Sequence, residues 1–192
     1  MNQTVTDRPT LEQLDNELKR VRNKREYHKK LRSTVYILVT VAAIAVLAAT
    51  MLFPVLQVFG SSMEPTLENG ELVLAVKSSK FHRGDVVAFY YNNKILLKRV
   101  IATAGDQVVI QQNGDVEVNG EMLEEPYLAE KSLGECDITF PYQVPDKRIF
   151  VLGDHRATSV DSRSSSVGSI ADEYIVGKVI CRIWPLDRLG GV

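Results

Sequence analysis

The stretch TVYILVTVAAIAVLAATMLF, residues 34–53, divides the chain and decides how the rest of it must fold. It holds no charged residue, and a helix of that length rises about 30 Å, the thickness of the hydrocarbon core of a bilayer. A loop cannot cross there, because its backbone groups would lack hydrogen-bond partners in lipid. The sequence therefore predicts a transmembrane helix over 34–53. A cleaved signal peptide and a buried core helix fit less well, because the preceding arm is long and the uncharged run is long.

The two sides of this span differ in charge. Residues 1–33 contain nine Lys/Arg and five Asp/Glu, whereas residues 54–192 contain fourteen and nineteen. The positive-inside rule places the basic arm in the cytoplasm and residues 54–192 outside, in a single-pass plasma-membrane protein that contacts the lipid bilayer. The formal net charge of −1 gives no support to a nucleic-acid partner.

The basic arm, residues 1–33, is predicted to be partly helical. Apolar residues recur at spacings of three and four from Leu11 to Val21. Thr10 is the candidate N-cap, and Gln13, three residues later, is its capping-box partner.

Beyond Pro54 the pattern changes to short runs rich in β-branched and aromatic residues. The candidate strands are 71–76, 85–91, 95–103, 107–112, 116–120, 148–152 and 175–184. The hairpin turn signals are Asn92-Asn93, Asn113-Gly114 and Asn119-Gly120. Residues 54–192 are therefore predicted to be a mainly β, antiparallel body. The stretch of about 105–147 is richer in acidic and turn residues, which predicts a smaller β lobe inserted into the main sheet.

Three segments of the body carry candidate chemistry, and the first is VFGSSMEPTL, residues 58–67. Gly60 permits an unusual backbone turn, and Pro65 fixes the chain after it. A serine in such a turn can present its hydroxyl and its own N–H to one substrate carbonyl. Taken alone, the segment is more typical of a structural loop.

The second segment is ILLKRVIATAGD, residues 95–106, which places Lys98 within a strand-like run. Strand alternation puts Leu96, Lys98 and Val100 on one face, with Arg99 on the other. A lysine there normally extends to water. Burial would instead disfavour its ammonium form, and a pKa lowered by about 3 units would leave a quarter or more of the amine neutral. A neutral amine can accept a proton from a serine hydroxyl.

The third segment is GDHRATSVDSR, residues 153–163, which follows an apolar strand. Asp161 with Arg163 or Arg156 is expected to form a charge-assisted pair that fixes the loop. Ser159 is the candidate hydrogen-bond donor to the lysine amine. An ordinary surface turn rich in Asp and Ser is the alternative.

Together, in this order behind an apolar anchor, the three segments resemble the bacterial type I signal peptidases, in the single-anchor form of Gram-positive bacteria. These are serine proteases with a Ser–Lys pair that remove signal peptides from secreted preproteins. The resemblance implies that Ser62 is the nucleophile and Lys98 the general base, with Ser159, Asp161 and Arg163 as support. It also implies the antiparallel catalytic body shared with LexA-like proteases, and no metal or organic cofactor.

The resemblance further implies an extended peptide substrate, cleaved after an Ala-x-Ala sequence. RGDVVAF, residues 83–89, resembles the strand that lines the family's cleft, so Asp85 and Val87 are expected to bind the peptide through a free strand edge at 85–89. Shallow apolar pockets are expected from Leu56, Val58, Met63 and Leu97. The alternative is that these apolar residues belong to an ordinary core.

The chain departs from the family pattern at several positions. His155 stands where GDNR is usual, and KRVIATAGD replaces the usual KRVIGLPGD. Some members carry an oxyanion-binding serine two residues before the nucleophile. Gly60 occupies that position here, which leaves the N–H of Ser62 as the expected oxyanion donor.

Other functions and states remain open from the sequence. A catalytically inactive membrane-anchored scaffold and another Ser–Lys self-processing protease share the same segments. A Ser–His–Asp hydrolase is disfavoured, because His82 and His155 have no nucleophile-elbow GxSxG sequence nearby. Cys136 and Cys181 fit either a disulfide or buried thiols, and neither shows metal-ligand spacing.

Overall fold

The computed structural model describes residues 10–192, which form one long helix, α1 (Leu11–Leu52), and a β-rich body. The chain divides between Ala48 and Ala49 into two compact units. The predicted N-cap is confirmed, since Thr10 N donates to Gln13 Oε1 at 2.9 Å and Gln13 N donates to Thr10 Oγ1 at 3.3 Å. Within the described range, α1 is the one helix that is long and apolar enough to cross a membrane.

The larger sheet of the body is antiparallel at every pairing. Its path of strands is β1 (Val55–Gln57), β2 (Leu72–Val76), β11 (Ile175–Trp184), β3 (Val86–Tyr91), β4 (Lys94–Thr103), β9 (Arg148–Leu152) and β10 (Ile170–Ala171), with β12 (Gly190–Gly191) also beside β11. The prediction of a mainly β, antiparallel body is therefore confirmed.

A second antiparallel sheet lies in the chain between β4 and β9. Its strands, in spatial order, are β7 (Glu121–Met122), β6 (Val116–Val118), β5 (Gln107–Ile110) and β8 (Tyr142–Gln143). Between β7 and β8 the chain forms no strand over residues 123–141. That irregular stretch contacts side chains near the candidate site.

The hairpin turns lie where the sequence predicted them. Asn92 and Asn93, with φ of 46° and 60°, join β3 to β4, and Asn119, with φ of 58°, precedes Gly120 between β6 and β7. Gly114, with φ of 87°, lies between β5 and β6. Asparagine and glycine tolerate this left-handed backbone, which matches the twist of the flanking strands.

Three apolar clusters fill the body, and β4 contributes to each of them. Leu97 belongs to a cluster with Met63 and Leu67, beneath the turn that carries Ser62. Val100 belongs to a cluster on the opposite face, and Ile101 belongs to the cluster that joins the two sheets. The apolar neighbours of Lys98 in β4 are therefore packed into the core, and alternation places Lys98 on the face of Leu96 and Val100.

Strand β3 has a neighbour on each side, because Val87 lies opposite Lys98 of β4 and opposite Lys178 of β11. The expectation that residues 85–89 offer a free strand edge is therefore wrong. Strand propensity reports how well a segment fits a pleated surface, and it does not identify the partner strand. The partner β11 comes from the far end of the chain.

Among the open strand sides of the described body, two belong to β4 and β1. Strand β4 pairs with β3 over Lys94–Arg99, but β9 joins its other side only from Arg99 onward. The stretch Lys94–Lys98 therefore has one open side. Strand β1 is the first strand on the path of the larger sheet and has β2 as its neighbour there, so its outer side is also open.

We expect Phe89→Ala to lower the free energy of unfolding by about 3–5 kcal/mol, because the ring is fully buried and its loss leaves a cavity. Tyr90→Ala is the matched control, since the next side chain in β3 is more than half exposed. Its expected cost is below about 1 kcal/mol. Urea titration of the full chain in detergent, followed by the fluorescence of Trp184, measures both. Equal losses would contradict this assignment of the core.

Candidate active site

Ser62 lies in a sharp turn that its neighbours hold in place. Gly60 has φ of 84°, a conformation that favours glycine, and its N–H donates to Asn69 Oδ1 at 2.9 Å. Met63 and Leu67 are buried beneath the turn. The apolar side chains anchor the turn from below and leave Ser62 half-buried at the surface of a cleft.

The amine of Lys98 meets the hydroxyl of Ser62 above β4. Lys98 Nζ lies 2.6 Å from Ser62 Oγ, which is hydrogen-bond distance. The lysine residue is 2% exposed, so the amine has lost nearly all of its contact with bulk water. The structure thus brings together the two residues that the sequence singled out as nucleophile and base.

Burial lowers the pKa of Lys98 from 10.5 to about 8. The charges of Asp161 and Asp154 act in the opposite direction, and the charge of Arg163 adds to the lowering. With a pKa near 8, roughly a tenth of the amine is neutral at pH 7. The pair can therefore exchange a proton near neutral pH without a histidine.

The loop after β9 carries the two carboxylates, Asp154 and Asp161, whose charges act on this amine. Arg163 Nε donates to Asp161 Oδ1 and Nη2 donates to Asp161 Oδ2, both at 2.8 Å. The predicted pair of Asp161 with Arg163 is confirmed. Gly153 N also donates to Asp161 Oδ2 at 2.9 Å, so the carboxylate fixes both ends of the loop. The same loop contacts the serine turn, where His155 N donates to Ser62 O at 3.1 Å.

Ser159 is buried, but its hydroxyl has no hydrogen-bond partner among the described residues. The predicted donation from Ser159 to Lys98 is therefore wrong for this structure. Its Oγ lies against Gly153 instead: a Cβ atom added at Gly153 would fall 2.1 Å from it. The sequence identified the residue as part of the site, but side-chain orientation in a tight loop depends on packing that spacing does not report.

Arg99 and Asp154 form a second ion pair that the sequence analysis did not assign. Arg99 Nε donates to Asp154 Oδ1 at 2.9 Å and Arg99 Nη2 donates to Asp154 Oδ2 at 2.7 Å. Thr66, in the serine turn, donates its hydroxyl to the same carboxylate. One carboxylate thus joins all three chemical segments of the sequence. The signal was present, since Asp154 and Arg99 stand within the quoted segments.

The cleft beside Ser62 has a volume of about 810 Å³ and is mainly apolar. Residues 55–60 line one side and residues 93–97 line the other, and these contain the two open strand sides. Four of the predicted substrate-binding residues line it: Leu56, Val58, Met63 and Leu97. A second, adjoining cavity contains Ser62 and Lys98 together with Thr158 and Val160.

Asp85 and Val87 do not line either cavity. Val87 is fully buried in the core, and the Asp85 carboxylate pairs with Lys178 Nζ at 2.7 Å and accepts from His82 N at 2.9 Å. Their expected contact with a peptide is therefore wrong, because β11 occupies the side of β3 that a peptide would need.

Cys136 and Cys181 are free thiols, each half-buried. Over residues 10–192, no group of three or more His, Cys, Asp and Glu side chains is arranged to hold a metal ion. The polar groups around Ser62 are instead paired ions and hydroxyls.

Comparison with known proteins identifies the family to which the chain is similar. The family described as "Signal peptidase, peptidase S26" matches residues 31–184. A probable signal peptidase I-2 of Synechocystis is 34% identical over 80% of this chain and 73% of its own. A signal peptidase I of Bacillus amyloliquefaciens is 36% identical over 79% of this chain and 87% of its own.

A solved structure, a signal peptidase I from Enterococcus faecalis, is 29% identical and covers 52% of this chain and 96% of its own, with a TM-score of 0.45. The family match extends from the end of the basic arm through β11, and the Synechocystis and Bacillus relatives are more than 30% identical over most of their length. The chain therefore belongs to the signal peptidase family, peptidase S26.

Proposed function

We propose that this chain is a type I signal peptidase that cleaves secretory preproteins through Ser62 as nucleophile and Lys98 as general base. The observation that carries the proposal is the 2.6 Å approach of Lys98 Nζ to Ser62 Oγ at a site where burial lowers the pKa of the lysine to about 8. Membership of the peptidase family supports the class of reaction. Activation by a neighbouring base is the requirement for a serine nucleophile.

The reaction would proceed through an acyl-enzyme. Neutral Lys98 takes the proton of Ser62 as Oγ bonds to the carbonyl carbon, and the N–H of Ser62 donates to the oxyanion. Lys98, now protonated, gives its proton to the leaving amine as the C–N bond breaks. It next takes a proton from a water that attacks the ester. Collapse of this second intermediate returns the proton to Ser62 Oγ and releases the signal peptide.

Asp161 and Arg163 support this chemistry by holding the loop beside the amine, and Ser159 fills the space between that loop and the serine turn. Removal of Asp161 would leave the Arg163 charge buried and unpaired, because the side chains of both are almost fully buried. These residues would therefore act on the geometry of the pair and make no bond to the substrate.

The substrate would lie extended in the apolar cleft, between the open sides of β1 and of Lys94–Lys98. Backbone hydrogen bonds to such open sides give affinity, and pockets for alternate side chains give specificity. Leu56, Val58, Met63 and Leu97 line this cleft and would leave shallow apolar pockets. Such pockets would accept alanine and exclude large side chains, in agreement with an Ala-x-Ala rule.

The proposed organisation has three parts in the plasma membrane. Residues 1–33 form the cytoplasmic arm, residues 34–53 span the bilayer, and residues 54–192 form the extracytoplasmic protease, with about 105–147 as its inserted lobe. Large apolar side chains on the body are well exposed: Phe59, Trp184, Leu186 and Leu189. They would contact the outer leaflet near the apolar part of the signal peptide.

Replacement of either reacting residue tests the pair directly. We expect Ser62→Ala and Lys98→Ala each to lower the cleavage rate of a preprotein at least about a thousand-fold, because neither residue can act without the other. Lys80→Ala is the matched control: it removes an exposed lysine of the body that lines neither cavity, and it is expected to keep most of the activity. Cleavage is measured in detergent, with sequencing of the new N-terminus. Near-normal turnover by Lys98→Ala would refute the proposed base.

The rate should depend on pH through Lys98. The charged amine cannot accept a proton, so kcat/KM should rise about tenfold per pH unit below pH 8 and level off above it. The midpoint is expected at about 8, the pKa that burial gives to Lys98. A pH profile of kcat/KM on an uncharged peptide substrate measures it. A midpoint near 10 would mean that the amine is solvated during catalysis.

The size of the pockets can be tested by changing the side chains of the substrate. We expect a preprotein with Phe in place of either alanine of the Ala-x-Ala sequence to be cleaved at least about a hundred-fold more slowly, because a shallow pocket cannot admit the ring. The matched control places Phe at the central x position. Equal rates for all three substrates would contradict the assignment of the cleft as the binding site.

A further inference from the structure

One irregular segment, residues 123–134, contacts three arginines of the segments 95–106 and 153–163, which carry Lys98 and the loop beside it. It follows β7 of the second sheet and contains none of the residues that the sequence analysis assigned to the site. Its contacts are Glu125 with Arg156, the Tyr127 ring with Arg99, and the carbonyls of Ser132 and Leu133 with Arg163. The inserted region thus reaches charged groups of strand β4 and of the loop after β9.

Tyr127 contacts Arg99, the residue that directly follows Lys98 in the sequence. The ring centroid of Tyr127 is 4.0 Å from Cζ of Arg99, which is the geometry of a cation–π contact. The phenol is itself held, because its OH donates to Glu125 Oε1 at 2.8 Å. Burial, reinforced by the charge of Glu125, raises the pKa of Tyr127 above its usual range, so the phenol remains a donor.

Glu125 is a firm support for this ring. Its carboxylate forms two hydrogen bonds with Arg156, and the side chains of both residues are almost fully buried. Arg156 also donates from Nε to Gly153 O at 3.2 Å, beside the start of the loop. A buried ion pair with further hydrogen bonds has little freedom to move, so the Tyr127 ring has a fixed position.

Arg99 links the Tyr127 ring to Asp154, because it contacts both. Its two hydrogen bonds to Asp154 compensate a buried carboxylate whose charge favours the ammonium form of Lys98. The other charges that act on the amine are those of Asp161 and Arg163 in the same loop. On the side of β3, the residue opposite Lys98 is the apolar Val87. Loss of the Arg99 contact would therefore leave Asp154 with the Thr66 hydroxyl but without its positive partner, and its charge would act more strongly on the amine.

We propose that Tyr127 is a positioning residue for the Ser62–Lys98 pair, because its ring fixes Arg99 on Asp154 and so limits the negative field at the amine. The inference rests on the proposed function, in which neutral Lys98 is the base. Its path runs through Arg99 and Asp154, and it involves no contact between Tyr127 and the substrate. The inserted region thereby acquires a part in setting the protonation of the active site.

The test compares two variants of Tyr127. Tyr127→Leu removes the ring and keeps an apolar side chain, and we expect the acid side of the kcat/KM profile to move upward by about half to one pH unit. Cleavage at pH 7 would fall about three- to tenfold and recover above pH 9. Tyr127→Phe keeps the ring and loses the phenol OH, and its profile should stay within about 0.3 pH unit of the parent protein.

Arg99→Lys weakens the pair of residue 99 with Asp154 directly and leaves Tyr127 unchanged. A single ammonium replaces the planar fork that binds Asp154 twice, so the same upward shift is expected even if Tyr127→Leu fails to fold. A loss of rate that is equal at every pH in Tyr127→Leu or Arg99→Lys would show a merely structural role and overturn the proposal. A shift in Tyr127→Phe as large as in Tyr127→Leu would overturn the role of the ring.

A measurement without cleavage separates this proposal from the proposed function. The pH dependence of acetylation of Lys98 by acetic anhydride, with the exposed Lys94 as internal reference, gives the pKa of the amine by mass spectrometry. A higher Lys98 pKa in Tyr127→Leu than in Tyr127→Phe supports the positioning role, even if no preprotein is cleaved. The same Lys98 pKa in both variants overturns it, even if the parent protein is an active peptidase.

Discussion

The amine of Lys98, removed from water on a central strand of the larger sheet, is the constraint on which the site depends. Its lowered pKa has a cost, because the folded protein disfavours the charged form that the unfolded chain retains. The cost is fully present below about pH 8, falls as pH rises toward 10.5, and amounts to roughly 3 kcal/mol. The three apolar clusters, together with the buried ion pairs, must offset it. A chain selected for stability alone would not place a lysine there.

The charges around this amine are arranged in compensating pairs. Asp161 is paired with Arg163 and Asp154 with Arg99, so each carboxylate that could restore the ammonium ion has a guanidinium beside it. Arginine suits this role, since its fork binds both carboxylate oxygens and remains charged at all relevant pH values. The family membership and the proposed reaction are consistent with such a site, in which burial rather than a charged neighbour is the main cause of the low pKa.

Local signals predicted much of this molecule, and non-local pairings explain the rest. The Thr10 cap and the asparagine and glycine turns depend on a few neighbouring residues, and the structure confirms them. Ser62 and Lys98 were singled out by their segments, and their catalytic roles stay a proposal. The free edge at 85–89 was wrong because the partner of β3 is far away in sequence. Glu125 and Tyr127 were missed because an acid and a tyrosine in an irregular segment carry no periodic signal.

The position of β11 decides when the site can exist during folding. In the larger sheet β11 lies between β2, which follows the serine turn, and β3, which leads by hairpin to the lysine strand. The two halves of the sheet are therefore joined by a strand that follows both of them in the sequence. Contacts between such distant segments form late, because a long loop must close first. A chain without β11 would lose the strand that joins these two halves, and the proposed pair of Ser62 and Lys98 would then be held together mainly through the loop after β9.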